Sequence, residues 1–369
     1  MMKKKVLVVD DSAFMRKLIS DFLSTSEQLE VVGIARNGED AIAKIKKLSP
    51  DVMTLDVEMP IMNGIEALKK IMDEHPLPVV MLSSTTKEGA EETFKAIQLG
   101  AVDFIAKPSG TISLDLHKIQ DEIVRKVLSA SQVSITKLFN KPASSVPVQN
   151  KASIERQTVL GKEDLDIKKG SSSNFSDNHK PRIILIGTST GGPRALQHVL
   201  TDLPFSLDAP VVIVQHMPPG FTKSLAGRLN SLSSIRVKEA EHGELLQKGT
   251  AYIAPGGFHM QVMQSESGLK VELNKENPRK GHRPSVDVLF ESAGRIDDYN
   301  KIAVIMTGMG SDGTQGLKRL KESGSVLAIA ESHETCIVYG MPKSVINANL
   351  SDEVVTVEAI AQSIMKYMV

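Results

Sequence analysis

A glycine-rich segment in the second half of the chain contains the residue best suited to nucleophilic chemistry. The sequence GTSTG at residues 187–191 follows the apolar run RIILIG and precedes an amphipathic stretch. It matches the G-x-S-x-G nucleophile elbow, in which the serine is exposed at the tip of a turn between a strand and a helix. A helix that begins near Pro193 would direct free N–H groups at developing negative charge. The segment therefore predicts that Ser189 is a nucleophile beside a site for an oxyanion.

Two other apolar runs end in the partners that such a serine requires. A nucleophilic serine needs a base within hydrogen-bond reach and an acid that orients the base. The run PVVIVQ is followed by His216 and the rigid sequence MPPG, and KIAVIM leads into a glycine-rich turn that contains Asp312. Because the carboxyl ends of parallel strands meet at one edge of a sheet, these side chains are expected to converge. The sequence predicts a triad of Ser189, His216 and Asp312.

Several alternatives to this triad are present in the sequence. A glycine-rich turn between a strand and a helix also binds phosphate on its N–H groups, so a nucleotide-binding domain is one alternative. His242, His259 and His282 are rival bases, and Asp287 is the rival acid. We rank them lower, since His259 and His282 lie in polar or loop-like sequence typical of substrate binding. No histidine pair has the H-E-x-x-H spacing of a zinc hydrolase, so no cofactor is expected for the ester chemistry.

A second group of reactive residues lies at the ends of apolar runs in the first third of the chain. Clustered carboxylates repel one another unless a cation lies among them, and three carboxylate oxygens plus waters suit octahedral Mg²⁺. An aspartate beside Mg²⁺ can accept a phosphoryl group, and a lysine and a hydroxyl can then pair with the phosphate oxygens. The residues in this group are Asp10, Asp11, Asp56, Ser83 and Lys107.

Short β-branched runs that alternate with amphipathic stretches must position both groups. Residues 1–128 contain KVLVV, VVGIA, VMTL, VVML and VDFI, which predict a doubly wound, five-stranded parallel α/β domain. Residues 129–180 lack periodicity and are rich in Ser, Pro, Asn and Lys, which predicts a flexible linker. The alternation resumes in residues 181–369, which predicts a second doubly wound α/β domain with a mostly parallel sheet.

The composition restricts the classes of partner and the location. Lys plus Arg and Asp plus Glu are equal at 44 each, so nucleic acid is not an expected partner. The single Cys336 cannot form a disulfide within the chain and is expected to be a packing residue. No apolar run approaches the roughly 20 residues that span a bilayer, and the run at the N-terminus is too short for a signal peptide. We expect a cytoplasmic protein that is not inserted in a membrane.

The first domain resembles the response-regulator receiver family over residues 4–125. The resemblance rests on the Asp-Asp pair, on DVEMP at residues 56–60 with the Asn-Gly pair after it, and on the Lys-Pro pair that begins at Lys107. It implies that a histidine kinase phosphorylates Asp56 in the presence of Mg²⁺. The family often has Thr at position 83 and Tyr at position 104, where this chain has Ser83 and Phe104. The implied Mg²⁺ ligands are Asp10, Asp11, Asp56 and the backbone carbonyl of Glu58, and the implied switch residues are Ser83, Phe104 and Lys107.

The second domain resembles the chemotaxis protein-glutamate methylesterase family. The motifs GTSTGG, VQHMPPGFT, YIAPGGFHM, HRPSVDVLF, TGMGSDG and YGMPKSV carry the resemblance, which covers the whole domain. It implies that Ser189 is the nucleophile, His216 the general base and Asp312 its orienting acid. The Met309 backbone N–H and His282 lie in family motifs near the active site, as candidates for oxyanion or substrate binding.

The two resemblances together imply a phosphorylation-controlled serine hydrolase. Its substrates would be glutamate methyl esters on the cytoplasmic helices of methyl-accepting chemoreceptors, and glutamines there would be open to deamidation by the same acyl chemistry. We expect the unphosphorylated receiver to cover the Ser189 cleft. Thr188 stands where the family commonly has Ala, a change expected to affect the rate and not the mechanism. A receiver joined to a DNA-binding output and a small-molecule esterase are the alternative functions.

Overall fold

The first domain is built on a parallel sheet. The computed structural model describes residues 2–107, 116–139 and 180–368. The strands of the first domain are β1 (Lys4–Val9), β2 (Leu29–Ala35), β3 (Val52–Asp56), β4 (Val79–Ser83) and β5 (Asp103–Ala106). They are all parallel and lie in the order β2-β1-β3-β4-β5. This is the flavodoxin-like order, so the predicted five-stranded receiver fold is confirmed.

Helices cover both faces of this sheet and begin at side chains that cap them. The helices are α1 (Ala13–Ser24), α2 (Gly38–Leu48), α3 (Gly64–Glu74), α4 (Lys87–Leu99) and α5 (Leu116–Ala130). Short polar side chains precede the first four helices and accept hydrogen bonds from N–H groups of the first turn. These capping residues are Ser12, Asn37, Asn63 and Thr86. Each cap ends a loop at the carboxyl edge of the sheet, where the reactive side chains were predicted.

The second domain contains a larger sheet and a separate hairpin. After α6 (Thr136–Phe139), its strands are β6 (Arg182–Thr188), β7 (Val211–Gln215), β8 (Arg236–Glu239), β9 (Thr250–Ile253), β10 (His259–Ser265), β11 (Gly268–Asn274), β12 (Asn300–Ile305), β13 (Val326–Glu331) and β14 (Glu353–Val355). Seven of them form a parallel sheet in the order β14-β13-β12-β6-β7-β9-β8, while β10 and β11 pair antiparallel. The predicted mostly parallel second domain is therefore confirmed.

The helices of the second domain enclose its sheet. They are α7 (Gly192–Asp202), α8 (Phe221–Asn230), α9 (Val286–Ala293), α10 (Thr314–Glu322), α11 (Met341–Asn347) and α12 (Val357–Lys366). None of the helices in the described part of the chain is both long enough and apolar enough to cross a bilayer. The central strands are buried on both faces, with Ile184, Val212 and Val304 fully inaccessible. Because β12, β6 and β7 are adjacent, the loops that follow them meet at one edge of the sheet.

The segment that precedes the second domain is packed at its start. Helix α5 ends at Ala130, and α6 lies inside the range for which the sequence predicts a linker. Leu138 is buried, its carbonyl oxygen accepts a hydrogen bond from Arg194, and Lys137 Nζ donates to the Cys336 carbonyl at 3.1 Å. A helix of four residues is too short to show periodicity, which explains why the sequence did not indicate it. The predicted linker from 140 to 179 lies outside the described residues.

Candidate active site

The turn after β6 presents Ser189 at the edge of the second sheet. Its N–H donates to the Thr307 carbonyl at 3.0 Å, and its own carbonyl accepts from the Gly192 N–H at 2.7 Å, which closes the turn into α7. Gly191 has a φ of +79°, and a Cβ there would lie 2.6 Å from Ile337 Cβ, so only glycine fits. The result is the strand, sharp turn and helix that a nucleophile elbow requires.

Two of the predicted triad residues are in direct contact. His216 Nε2 lies 2.8 Å from Asp312 Oδ2, and both side chains are almost inaccessible to solvent. The Asp312 carboxylate also accepts hydrogen bonds from Ser285 Oγ at 2.9 Å and from the N–H groups of Val286 at 2.8 Å and Asp287 at 3.0 Å. Burial raises the pKa of Asp312, but the His216 contact and these N–H donors outweigh it and hold the pKa far below its ordinary value.

The third predicted member, Ser189, shares a cavity with the imidazole. A cavity of about 170 Å³ is lined by Ser189, His216, His282 and Met309. The hydrogen bonds of the described residues include none between the Ser189 hydroxyl and His216. Asp312 contacts Nε2 of His216. The other ring nitrogen, Nδ1, is buried and has no hydrogen-bond partner among the described residues. This arrangement leaves one imidazole nitrogen free to accept a proton.

His282 is stacked on the candidate base. The two imidazole rings are nearly parallel, with centroids 3.9 Å apart and an interplanar angle of 4°. Arg125 Nη1 of the receiver helix α5 lies 3.1 Å from His282 Nε2. Burial, followed by the charges of His216 and Arg125, lowers the pKa of His282 to about 3. His282 is therefore neutral at pH 7, and its ring forms one wall of the cavity.

The rival residues have other partners. His242 Nδ1 accepts a hydrogen bond from the Leu273 N–H at 3.1 Å, which places it beside the hairpin. His259 is buried in β10, and its Nε2 lies 3.1 Å from the Asn277 carbonyl oxygen. The Asp287 carboxylate accepts from N–H groups at the start of α10 and lies 2.9 Å from Lys280 Nζ. None of the three is bonded to Ser189 or His216 in the described structure.

Sequence reasoning missed side chains that hold the triad in place. Gln215 Nε2 donates to the Ser189 carbonyl at 3.0 Å, so the last residue of β7 braces the turn after β6. The sequence gives no indication of a role for Ser285, although it lies between His282 and Asp287 in the motif HRPSVD. The signal for Gln215 is its position directly before His216, since the ends of the strands are where the site forms.

The predicted acidic cluster of the receiver is assembled at the carboxyl edge of its sheet. One carboxylate oxygen each from Asp10, Asp11 and Asp56 lies within 4.8 Å of the others, a spacing that fits one small divalent cation. Lys107 Nζ lies 2.6 Å from Asp56 Oδ2 and 3.1 Å from Asp10 Oδ2. Burial raises the pKa of Asp56 to about 6 despite the opposing contribution of Lys107. The Glu58 N–H donates to Asp56 Oδ1 at 3.4 Å, which places Glu58 at the rim of this cluster.

The predicted switch residues lie on the side of the receiver that meets the second domain. Ser83 is buried and its Oγ donates to the Gly89 carbonyl at 2.9 Å, at the start of α4. Phe104 is buried, and its ring stacks on Phe221 of α8 with centroids 4.5 Å apart. Asp103 Oδ2 accepts a hydrogen bond from Thr190 Oγ1 at 2.5 Å. The first residue of β5 therefore contacts the residue that directly follows Ser189.

The chain is similar to known proteins over nearly its whole length. A family model described as CheB methylesterase matches residues 184–364, and one described as response regulator receiver domain matches residues 6–119. The protein-glutamate methylesterase/protein-glutamine glutaminase of Geobacillus kaustophilus is 56% identical over 364 residues, which cover 98% of this chain and 98% of that protein. The protein of the same name from Halalkalibacterium halodurans is 55% identical over 363 residues, with coverages of 98% and 97%.

A solved structure matches the second domain. The Thermotoga maritima CheB methylesterase catalytic domain is 46% identical, covers 50% of this chain and 97% of that chain, and has a TM-score of 0.49. The family match over residues 184–364 argues against a DNA-binding output in the second half of the chain. It argues equally against a nucleotide-binding domain built on the same glycine-rich turn.

Proposed function

Because the chain belongs to the family of protein-glutamate methylesterase/protein-glutamine glutaminase enzymes, we propose that Ser189, His216 and Asp312 hydrolyse glutamate methyl esters and glutamine amides in proteins. One observation carries this proposal. The 2.8 Å contact between His216 and Asp312 lies at the cavity that also contains the hydroxyl of the nucleophile elbow. The receiver domain that precedes the hydrolase makes it a phosphorylation-controlled serine hydrolase.

In the proposed reaction each member of the triad has a distinct role. Ser189 Oγ attacks the carbonyl carbon of the γ-glutamyl ester while His216 Nδ1, the nitrogen not bonded to Asp312, accepts the hydroxyl proton. Asp312 remains anionic, because its many donors hold its pKa low, and it stabilises the imidazolium. The tetrahedral oxyanion is stabilised by the Met309 N–H. The first two residues of α7 do not supply the donors that the sequence suggested, because the Gly192 N–H is bonded to the Ser189 carbonyl and Pro193 has no N–H.

Collapse of the intermediate completes the acyl transfer. The bond from carbonyl carbon to the methoxy oxygen breaks, and methanol leaves with the proton from His216 Nδ1. Water then attacks the acyl-enzyme and gives one proton to His216 Nδ1, which passes it to Ser189 Oγ as the acyl bond breaks. The glutamic acid product loses its remaining proton to solvent and leaves as the carboxylate. A glutamine substrate follows the same steps, with ammonia as the leaving group. His282, which is neutral at pH 7, shields the imidazole from solvent.

We propose that Asp56 is the phosphorylation site and that a chemotaxis histidine kinase is the donor. Asp10, Asp11, Asp56 and the Glu58 carbonyl would hold Mg²⁺, which when bound neutralises charge on the phosphoryl oxygens. Lys107, now 2.6 Å from Asp56, would pair with a phosphoryl oxygen and draw away from Asp10. This regrouping of charge at the end of β5 is the signal that reaches the second domain.

The contacts between the domains support control by occlusion. Glu122, Arg125 and Lys126 of α5 line the cavity around Ser189, so a receptor helix has no room there while the receiver is docked. Asp103 also accepts a hydrogen bond from Thr190, beside the nucleophile. We propose that phosphorylation loosens this face and uncovers the cleft. The substrates would be methyl-accepting chemoreceptors, and the enzyme would act in the cytoplasm.

The domain division proposed here is a receiver at 1–128, a linker at 129–180 and a catalytic domain at 181–369. Within that linker range, Lys137 and Leu138 nevertheless contact the second domain. In this division the linker keeps the receiver close to the cleft after release, so that docking and undocking are intramolecular.

The test of this function is methanol release from methylated chemoreceptor. The wild type is expected to release methanol, and a small phosphodonor with Mg²⁺ should increase the rate. Ser189→Ala should abolish release with and without the donor, while the variant retains its fold by circular dichroism. Release by folded Ser189→Ala at the wild-type rate would eliminate the proposed nucleophile, and a donor without effect would eliminate the proposed control.

A further inference from the structure

A fully buried carboxyl group lies two strands away from the nucleophile. Glu331 is the last residue of β13, and β12 separates that strand from β6. Its exposed fraction is 0%. It makes no ion pair with any residue that the structure describes, in contrast to the buried Asp10 and Asp56, which share Lys107. Its location beside the site therefore needs an explanation other than a charge pair.

Glu331 is connected to Ser189 through a single residue. Its Oε2 accepts the Thr307 N–H at 2.7 Å. The carbonyl oxygen of Thr307 accepts the Ser189 N–H at 3.0 Å and the Thr188 hydroxyl at 3.0 Å. The Thr307 hydroxyl donates to the Thr190 carbonyl oxygen at 2.9 Å. Thr307 thus holds all three residues at the tip of the elbow, and Glu331 holds Thr307.

The same contact reaches the loop expected to bind the oxyanion. Gly308 and Met309 directly follow Thr307. A Cβ at Gly308 would lie only 2.8 Å from Ser189 Cβ, so this loop and the nucleophile are in close contact. A change in the direction of the Thr307 peptide would therefore displace the attacking hydroxyl and the Met309 N–H relative to each other.

Stability alone is a poor explanation for this carboxyl group. Burying a carboxylate without a cation is costly, so Glu331 gains no stability from a charge pair to offset its loss of hydration. Burial raises the pKa of Glu331 to about 7, although the Thr307 N–H and the Thr335 hydroxyl favour the anion. What the carboxyl group supplies here is a hydrogen-bond acceptor at a defined point in the interior.

We infer that Glu331 is a positioning residue for the ester hydrolysis, acting through Thr307 to hold Ser189 and the Met309 loop in their reactive arrangement. The inference rests on the proposed function, because it refines the same site. A displacement of about 1 Å at a reacting group can reduce a rate by roughly 100-fold without weakening substrate binding. The effect of losing Glu331 should therefore fall on kcat and leave KM for the receptor unchanged.

Two substitutions separate the acceptor from the volume of the side chain. Glu331→Met keeps the length and removes the acceptor, whereas Glu331→Gln keeps an oxygen that can accept the Thr307 N–H. In the full-length enzyme stimulated by phosphodonor and Mg²⁺, methanol release should show kcat lowered roughly 10- to 100-fold in Glu331→Met. Glu331→Gln should remain within about threefold of the wild type, with KM unchanged in both variants.

A matched control removes the other hydrogen bond of the same carboxyl group. Thr335 Oγ1 donates to Glu331 Oε1 at 2.9 Å and makes no hydrogen bond to the elbow among the described residues, so Thr335→Val should leave kcat within about threefold. All rates are divided by the folded fraction from circular dichroism. A folded Glu331→Met enzyme with wild-type kcat, or a Glu331→Gln enzyme as slow as Glu331→Met, would overturn the inference. Failure of the wild type to release methanol in this assay would instead refute the proposed function.

Discussion

Asp312 in the second domain and Asp56 in the first are both buried, but they differ in how many hydrogen-bond donors surround the carboxylate. Asp312 accepts hydrogen bonds from Ser285, Val286 and Asp287 and contacts His216, and its pKa lies far below the ordinary value. Asp56 has mainly Lys107 and faces a second carboxylate, and its pKa rises to about 6. Burial alone therefore does not decide the chemistry of a carboxyl group. The complete set of donors favours the anionic form, as the proposed role of Asp312 in orienting a base requires, whereas the incomplete set leaves a carboxylate that would gain from a bound cation, as proposed for Asp56.

The largest effect on activity is expected from replacing Asp312, the carboxylate with the full set of donors. Asp312→Asn places an amide against His216 Nε2, so the imidazole is held in a different tautomer and cannot be stabilised as a cation. In serine proteases the equivalent change lowers kcat by roughly 10⁴-fold, and we expect a loss of this order in methanol release. Ser285→Ala removes one donor and keeps the carboxylate, so as a control it should cost less than roughly tenfold. Near-wild-type activity of Asp312→Asn would contradict the assigned role.

The opposite pKa shifts predict opposite changes in stability. The folded pKa of Asp56, about 6, lies above its ordinary value of 3.8, so its stabilising contribution is present below that value and is lost as the pH rises through 6. The folded pKa of Asp312 is depressed, so its contribution is present above 3.8 and is lost as the pH falls through the folded pKa. At pH 7.5 without Mg²⁺, Asp56→Asn should stabilise the receiver by roughly 1 to 3 kcal/mol, whereas Asp312→Asn should destabilise the catalytic domain.

Calorimetric unfolding of the full chain at pH 7.5 and pH 4.5, in EDTA, measures both variants. The gain from Asp56→Asn should shrink at the lower pH, where the wild-type carboxyl group is largely protonated. Adding Mg²⁺ should stabilise the wild type more than Asp56→Asn, because the substitution removes one carboxylate ligand. Shifts of the same sign in the two variants at pH 7.5 would refute the contrast between the two sites.

A smaller effect on methanol release is expected from weakening the contact between the receiver and the catalytic domain. Asp103→Ala removes the 2.5 Å hydrogen bond from Thr190, and a buried hydrogen bond to a charged group contributes about 1.5 to 3 kcal/mol. Weakening the docked state by part of this amount should raise methanol release without phosphodonor by roughly tenfold and reduce the stimulation by the donor. Asp121→Ala, on the exposed surface of α5, is the matched control and should leave both rates unchanged. Unchanged basal release in folded Asp103→Ala would argue against this contact as a restraint.

The sequence predicts the parts of the site that local pattern encodes. Strand ends place Asp10, Asp56, Ser189 and His216, because a buried parallel strand is visible as an apolar run and its carboxyl end as the residues that close it. Asp312 lies farther along, in the glycine-rich turn that follows β12. Contacts between distant residues carry no such pattern. Thr190 and Asp103 are 87 residues apart, and Arg125 and His282 are 157 residues apart. Their pairing depends on how the two domains dock.

The sequence also gives no indication that a polar residue at a strand end is buried when no catalytic motif includes it. Glu331 ends an apolar run and precedes Ser and His, which is equally typical of a solvated loop. Its burial results from the packing of β13, α12 and the loop after β12 around it. The short helix α6 was missed because four residues cannot display helical periodicity.

The position of β5 has a further consequence for how signals are combined. Asp103 and Phe104 are adjacent in this strand and both touch the catalytic domain, through Thr190 and Phe221. A protein that binds to the first two residues of β5 must therefore displace the catalytic domain from them. Part of that protein's binding free energy would be used to open the cleft. Substrate bound in the open cleft would in turn raise the affinity for that protein, and the two affinities would change by the same factor. A visiting protein and the receptor helix would therefore act as mutual activators although they never touch each other.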